Sequence, residues 1–347
     1  MNFVNHFLIS NQERIIGLDL LRSLAILWVV YGHGLWILPE SYHQIYHKLY
    51  LINLDGVSIF FMLSGFLIGG ILLKIIHYKD LGRKELFDFW MRRWFRTIPT
   101  YFVLLISLWL YYQFIGISIP IRDLLHYFTF TQNFYSSHPD FFPEAWSLAV
   151  EEWFYLLFPF LYFLFYQWSK QKDILFLFIT LLFILFPLVL RIVKYEPGLA
   201  ITEFDLEFRK IVLLRLDSIM YGVLAAYLHF KKPAFWEKYK FHFLYVGIAF
   251  LILLKVKSGT WVRFYSPLAF NIESIILFCF LPFLSNYKTT KLKIPRCFNH
   301  FHQYHFLFYV FAKSAGKRNF CTKTILVFIW EYWTLLDQLF PVLDTNH

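Results

Sequence analysis

Arg22 and His33 carry side chains suited to chemistry, and both stand in one apolar segment from Leu18 to Gly34. Their spacing of eleven residues is about three turns of an α-helix, so the two side chains share a helix face about 16 Å apart. An arginine can hold an anion, and a histidine can move a proton near neutral pH. Ionisable groups within an apolar segment are usually functional, although a snorkelling arginine and a water-bound interfacial histidine would give the same pattern.

A cluster of three arginines, Arg92, Arg93 and Arg96, stands between aromatic residues and Pro99. Arg93 and Arg96 are three residues apart and are therefore neighbours on a helix. Guanidinium groups bind phosphates through paired hydrogen bonds, so the cluster could hold a phosphate-bearing ligand. The alternative is a set of anchors at the cytoplasmic face of a membrane.

The segment from Trp146 to Glu152 places two carboxylates about one turn inside the predicted outer end of a helix. We expect Glu151 to lie near the depth of His33, where a carboxylate could orient and polarise the imidazole for acid–base catalysis. Adjacent residues point in different directions on a helix, so only one of the two acids should face inward. The alternative places both acids at the wetted interface.

Arg215 and Asp217 form a fourth polar pair, at the start of another apolar stretch. Residues two apart do not share a helix face. We therefore expect each side chain to have its own partner, in the predicted membrane span Leu18–Leu38 or in the predicted span Trp146–Gln167.

The predicted membrane span Val57–Ile76 contains Ser64, Gly65 and Gly69, a small-residue face suited to close helix packing. Ser64 could also act as a nucleophile. Its local sequence, however, contains no base that would activate it.

The elements that carry these residues are apolar. Hydrophobic residues make up 59% of the 347-residue chain and the mean hydropathy is +0.52, above the composition of a soluble domain. We predict an all-α polytopic membrane protein with about ten transmembrane helices. The predicted spans are Leu18–Leu38, Val57–Ile76, Ile98–Ile117, Trp146–Gln167, Ile174–Ile192, Ile211–His229, Phe241–Leu254, Pro267–Leu284, and the weaker Phe306–Phe311 and Ile325–Leu339.

Loop charge predicts a cytoplasmic N-terminus. The segment from Lys74 to Arg96 contains seven Lys or Arg residues, whereas the segment from Pro39 to Gly56 contains one. The net charge of +10 is spread over such loops, which favours a membrane protein over a nucleic-acid-binding one. The first residues show no signal-peptide cleavage site, so we expect the first span to remain in the mature protein.

The three cysteines, Cys279, Cys297 and Cys321, lack the spacing of a metal site. We therefore expect neither a disulfide framework nor a bound metal. The sequence has no internal repeat and no long soluble segment, so we predict one membrane domain over residues 1–347.

Together these motifs resemble the acyltransferase-3 family, integral-membrane O-acyltransferases that modify bacterial polysaccharides, lipopolysaccharide and related glycans. The resemblance covers about residues 10–290 and implies about ten transmembrane helices in the cell membrane. It implies cytoplasmic acyl-CoA, in particular acetyl-CoA, as donor, with no permanently bound cofactor. The implied acceptor is a hydroxyl of a glycan or lipid-linked oligosaccharide. Its motifs here are Arg22-x10-His33, the FFMLSGFLI run, Arg92-Arg93-x-x-Arg96-x-x-Pro99, WSLAVE, and Arg215-x-Asp217-Ser218.

The resemblance also implies that Arg22 and His33 are a signature pair and that Arg93 and Arg96 belong to a functional arginine motif. We expect the site to divide into three groups of residues. They are His33 and Glu151 as catalytic residues, Arg22, Trp146, Ser147, Arg215 and Asp217 as substrate-binding residues, and Arg92, Arg93 and Arg96 as acyl-CoA-binding residues.

Two features depart from the family. Some relatives carry a fused extracytoplasmic esterase-like domain, for which we expect this chain to be too short. Residues 299–309 do not match the family's Ser-Tyr-x-x-Tyr-Leu-x-His-like stretch, and the segment from Lys313 to Lys323 is basic where an external loop is predicted. We therefore hypothesise a frameshifted or diverged tail after about Arg296. A glycan or small-molecule transporter or flippase, and an inactive acyltransferase remnant, are the alternative functions.

Overall fold

A computed structural model describes residues 15–34, 55–79, 81–258 and 266–287. Within these ranges the chain is helical and contains no β-strand, which confirms the all-α prediction for this part of the chain. Residues 26–34 belong to one compact unit and the remaining described residues to another. The two weaker predicted spans and the hypothesised altered tail lie outside the described ranges.

Eleven α-helices occur in the described residues. A π-helical turn, Asp205–Arg209, and a 3₁₀ turn, Val212–Leu214, lie between the seventh and the eighth. The helices are α1 Ile16–Gly34, α2 Gly56–Tyr78, α3 Arg83–Phe114, α4 Ile121–Phe128, α5 Ala145–Tyr166, α6 Lys172–Lys194, α7 Ile201–Phe204, α8 Leu216–Lys231, α9 Pro233–Lys238, α10 Lys240–Ser258 and α11 Ala269–Ser285.

Four of these helices, α2, α3, α5 and α6, are long and apolar enough to cross a membrane. A bilayer core about 30 Å thick needs about 20 apolar residues in a helix, and α2 and α6 have 23 residues each. Shorter apolar stretches occur in α10 and α11. The first eight predicted spans each overlap one of the described helices.

Helix α3 begins at Arg83, fifteen residues before the predicted apolar span Ile98–Ile117. Its first turn is closed by the Glu85 side chain, which accepts a hydrogen bond from the Gly82 backbone N–H at 3.1 Å. Pro99 lies within the helix and does not end it. As a result, Arg93 stands about 15 Å along α3 from its first residue, in the polar part of the helix that precedes the predicted span.

Helices α2 and α8 pack with their backbones in close approach at two glycines. A Cβ atom on Gly65 would lie 1.9 Å from the carbonyl oxygen of Ile219, and one on Gly222 would lie 2.2 Å from that of Met62. Only glycine allows two helix backbones to approach this closely. The predicted close-packing face of the second span is therefore confirmed, and it fixes Ser64 beside a rigid helix pair.

Candidate active site

Ser64, Glu151 and Tyr155 form a hydrogen-bonded group between α2 and α5. The Ser64 hydroxyl donates to Oε1 of Glu151 at 3.1 Å, and the Tyr155 hydroxyl donates to Oε2 at 3.1 Å. Glu151 and Ser64 are half-buried, and Tyr155 is buried. Each carboxylate oxygen thus has a donor, which holds Glu151 in one orientation.

Arg93 lies in the same layer as this group. The Trp90 indole N–H donates to the carbonyl oxygen of Tyr155 at 2.9 Å, which ties α3 to α5 at this level. Arg93 is half-buried. Its electrostatic neighbours are the Tyr155 hydroxyl, the Glu151 carboxylate and the guanidinium of Arg96. Loop charge and helix order predict the arginines at the cytoplasmic mouth of the third span and Glu151 near the outer end of the fourth. That separation was wrong, because Arg93 and Arg96 are electrostatic neighbours of Glu151.

The three arginines differ in their exposure. Arg92 and Arg96 are exposed, whereas Arg93 is half-buried and is an electrostatic neighbour of Tyr155 and Glu151. Arg96 remains close enough to Glu151 to contribute to its electrostatic environment. The cluster therefore contains one half-buried arginine and two exposed ones, and both Arg93 and Arg96 contribute positive charge near Glu151.

Glu152 is buried as well, with 5% of its surface exposed. Its carboxylate faces the Trp94 side chain and Arg93 on α3, whereas Glu151 contacts Ser64 on α2. The expectation that only one of the two acids faces inward was wrong, since α5 is packed by α2 on one side and by α3 on the next.

A second polar network joins the start of α2 to the turn before α8. Arg209 donates to both oxygens of Asp55, at 2.9 and 3.0 Å, and to Asp205 at 3.0 Å. Burial alone would lower the pKa of Arg209, but the two carboxylates raise it above its ordinary value. The guanidinium carbon of Arg209 also lies 4.6 Å from the centre of the Trp146 ring.

Arg215 and Asp217 are fully buried in this region. Arg215 donates to the Ser58 hydroxyl at 2.9 Å, and Asp217 accepts from Arg191 at 2.6 Å. They have separate partners, as predicted. Those partners lie in α2 and α6, and the expected location in the first or the fourth span was wrong, because α8 packs mainly against α2 and α6.

An aromatic pair separates this network from the Ser64–Glu151 layer. Phe61 lies one turn before Ser64 on α2, and its ring meets that of Trp146 edge to face at a centroid distance of 6.0 Å. Trp146 is buried with 5% of its surface exposed. Ser147, the next residue on α5, is half-buried.

The signature pair on α1 is described only in part. Arg22 donates to Asp19, one turn earlier on the same helix, at 2.7 Å. His33 lies in the last turn of α1, and its side chain is outside the described part of the structure. The predicted pairing of His33 with Glu151 therefore stays a prediction.

Sequence reasoning missed Asp55, Arg209 and Tyr155. Tyr155 stands four residues after Glu151, a spacing that makes neighbours on a helix and could have been used. Asp55 and Arg209 are separated by 154 positions, and no local pattern connects them.

Comparison with known proteins gives a family match and several relatives. The acyltransferase-3 family model, described as an acyltransferase domain, matches residues 15–343. Peptidoglycan O-acetyltransferase OatA of Listeria monocytogenes is 30% identical over 179 residues, which are 48% of this chain and 27% of that protein. A Staphylococcus aureus (strain COL) protein, provisionally named an O-acetyltransferase, is 30% identical over 244 residues, 66% of this chain and 37% of that protein.

The Bacillus subtilis protein YrhL, provisionally named a peptidoglycan O-acetyltransferase, is 30% identical over 208 residues, 54% of this chain and 30% of that protein. The matches thus span between 27% and 37% of the length of these relatives. No solved structure matches the chain. Because the family match runs from residue 15 to residue 343, this membrane protein belongs to the acyltransferase-3 family.

Proposed function

We propose that this protein is a membrane O-acetyltransferase that moves an acetyl group from acetyl-CoA to a hydroxyl of a cell-surface polysaccharide. Family membership supports the acyl-transfer chemistry. The names of the Listeria and Bacillus relatives support peptidoglycan as the first acceptor to test. Lipopolysaccharide and other surface glycans belong to the same chemical class of hydroxyl-bearing acceptors.

The proposal includes about ten transmembrane helices in the cell membrane and a cytoplasmic N-terminus. The basic segment that includes Arg83, Lys84 and Arg92 supports this orientation, because Lys and Arg are enriched in cytoplasmic loops. The donor then reaches the site from the cytoplasm and the acceptor from outside.

The observation that carries the proposal is the position of Glu151 between two hydroxyl donors and beside Arg93. Transfer of an acyl group to a hydroxyl requires a base that takes the hydroxyl proton and a cation or donor that stabilises the oxyanion. Glu151 provides the base, and Arg93 provides the positive charge. The exposed Arg92 and Arg96 on the same helix are available for the phosphates of CoA.

Trp146 and Arg209 form the outer side of this layer. A guanidinium stacked on an indole gives a flat polar and aromatic surface of the kind that suits a sugar ring. We assign the acceptor side to this surface, with Ser147 next to it on α5. Roles for Arg22 and His33 remain predictions from the sequence.

The experiment is an acyl-transfer assay on the purified full chain in lipid nanodiscs. CoA release from acetyl-CoA is followed with a thiol reagent, with and without a soluble peptidoglycan fragment. We expect continuous CoA release that depends on the acceptor in the wild type, and a loss of about 100-fold or more in this turnover in Glu151→Gln. Glu237→Gln, an exposed acid on α9, is the matched control and should retain activity.

Two results would contradict the proposal. Glycan movement across the nanodisc or vesicle membrane without CoA release would identify a transporter. Absence of CoA release from a folded wild-type protein with every class of surface glycan would identify an inactive remnant.

A further inference from the structure

We infer that Ser64 carries the acyl group as a covalent ester between its release from CoA and its delivery to the acceptor. This inference rests on the proposed acetyl-transfer function and names a residue and an intermediate within it. The observation behind it is the 3.1 Å hydrogen bond from the Ser64 hydroxyl to Glu151. A serine is a weak nucleophile unless a neighbouring base takes its proton.

The structure supplies the base that the local sequence lacks. Glu151 is 87 positions away from Ser64 in the chain, and the packing of α2 against α5 brings the two side chains together. The direction of the bond is the productive one, because a carboxylate can only accept and the serine hydroxyl donates its proton to it.

Both partners are held in place. The backbone of Ser64 is fixed by its neighbour Gly65, which packs against the carbonyl oxygen of Ile219 on α8. Glu151 is fixed by Tyr155, whose hydroxyl occupies the second carboxylate oxygen at 3.1 Å. A nucleophile and a base on rigid elements retain their geometry while the substrate binds.

Arg93 completes the group. Its guanidinium is an electrostatic neighbour of Glu151 and of Tyr155. Attack on a thioester carbonyl creates a negatively charged oxygen, and a preorganised cation at that place lowers the barrier.

The first step forms the Ser64 Oγ–acyl bond and breaks the acyl–sulfur bond of acyl-CoA. The Ser64 proton passes to Glu151 and from there to the departing sulfur, which leaves as CoA thiol. In the second step the acceptor hydroxyl attacks the ester, its proton passes to Glu151, and Ser64 Oγ leaves and takes that proton. Glu151 ends each step as a carboxylate, and the net reaction is acyl transfer from CoA to the acceptor.

The test uses the full chain in nanodiscs with radiolabelled acetyl-CoA and no acceptor, followed by acid quenching. We expect one stable label on wild-type protein, located by mass spectrometry of the peptide that contains residue 64. Ser64→Ala should carry no label and release no CoA above background. Ser107→Ala, which removes a half-buried serine from α3, is the matched control and should be labelled like the wild type.

Ser64→Cys keeps the protein testable if alanine disturbs folding. It should become labelled as a thioester, which neutral hydroxylamine removes, whereas the wild-type oxygen ester resists that treatment. With acceptor present, the wild type should give parallel lines in double-reciprocal plots, the kinetic pattern of a covalent intermediate.

The failures are distinguishable. If the wild type releases CoA only together with acceptor, remains unlabelled and Ser64→Ala keeps wild-type turnover, the covalent role of Ser64 is overturned and the proposed function stands. If folded wild type releases no CoA with any acceptor, the proposed function fails, and this inference fails with it.

Discussion

Ser64 donates a hydrogen bond to Glu151 across 3.1 Å, and this bond joins α2 to α5 at the level of Arg93. It places a hydroxyl, a carboxylate and a guanidinium in one layer of a membrane domain. The sequence motifs that contain Ser64, Glu151 and Arg93 do not by themselves indicate that these residues meet, because each motif lies on a different helix. We take this layer as the candidate catalytic centre and interpret the other polar groups by their position relative to it.

Removing the guanidinium of Arg93 should affect turnover more than removing any other arginine charge at the start of α3. We expect Arg93→Ala to lower kcat by about 100- to 1,000-fold, the typical effect of losing one group that stabilises the oxyanion. The measurement is CoA release at saturating acetyl-CoA. Arg83→Ala, an exposed arginine in the first turn of α3, is the control. Equal loss in both variants would show that the charge of the segment, and not the position of Arg93, matters.

Close packing of α2 on α8 makes Gly65 intolerant of any side chain. The new Cβ atom of Gly65→Ala would lie 1.9 Å from a backbone oxygen, so the helices must separate, and we expect a loss of about 3 kcal/mol or more. Gly70→Ala on the same helix meets nothing within 4 Å and should be neutral or stabilising by about 0.5–1 kcal/mol. Thermal unfolding in detergent measures both. A Gly65→Ala protein as stable as Gly70→Ala would refute the packing of α2 on α8.

The sequence predicts the helices best where an apolar run is bounded by polar residues. For α2 and α5 the predicted bounds, 57–76 and 146–167, differ from the observed ones by at most two residues. Helix α3 extends fifteen residues before the predicted span 98–117, because residues 83–97 are rich in charge and a span prediction marks only the apolar part of a helix. In the candidate site, contacts between neighbours on one helix are predictable from the sequence, and contacts between distant segments are not. Tyr155 lies one turn from Glu151 and is predictable, whereas Asp55 and Arg209 meet only through the fold.

The Asp217 carboxylate should contribute to the stability of the fold and not to the affinity for the acceptor. Asp217→Asn leaves Arg191 buried without its ionic partner, a change that costs about 3–5 kcal/mol. Glu207→Gln removes a half-exposed partner of Lys194 and should cost less than about 1 kcal/mol. Thermal unfolding compares the two, and the KM for acceptor is measured on the folded fraction. A stable Asp217→Asn protein with a raised acceptor KM would instead support the substrate-binding role predicted from sequence.

His138, in the loop between α4 and α5, should make stability depend on pH. The pKa of His138 is lowered from 6.5 to about 4, mainly by burial and also by Lys210, while the Pro139 carbonyl and Asp140 oppose the shift. Below pH 6.5 the unfolded chain binds a proton at this imidazole that the folded chain does not. Stability should therefore fall as the pH falls from 6.5 to about 4, by about 3 kcal/mol in total, with no further loss from this group below that.

The pH effect is measured as the change in unfolding temperature between pH 7 and pH 5. His138→Gln should show a smaller change than the wild type. His126→Gln, an exposed histidine on α4, should keep the wild-type change. If the unfolding temperatures of His138→Gln and the wild type change equally between pH 7 and pH 5, His138 is not a buried neutral imidazole in the folded protein.

We propose that the Glu151 layer transfers an acyl group from CoA to a surface glycan. It is tested most directly by mass spectrometry of surface glycans from cells that lack the gene and are complemented with wild type or Glu151→Gln. We expect base-labile acetyl esters on the glycan with the wild-type gene, and none with Glu151→Gln despite equal protein in the membrane. Equal glycan acetylation with Glu151→Gln would contradict it.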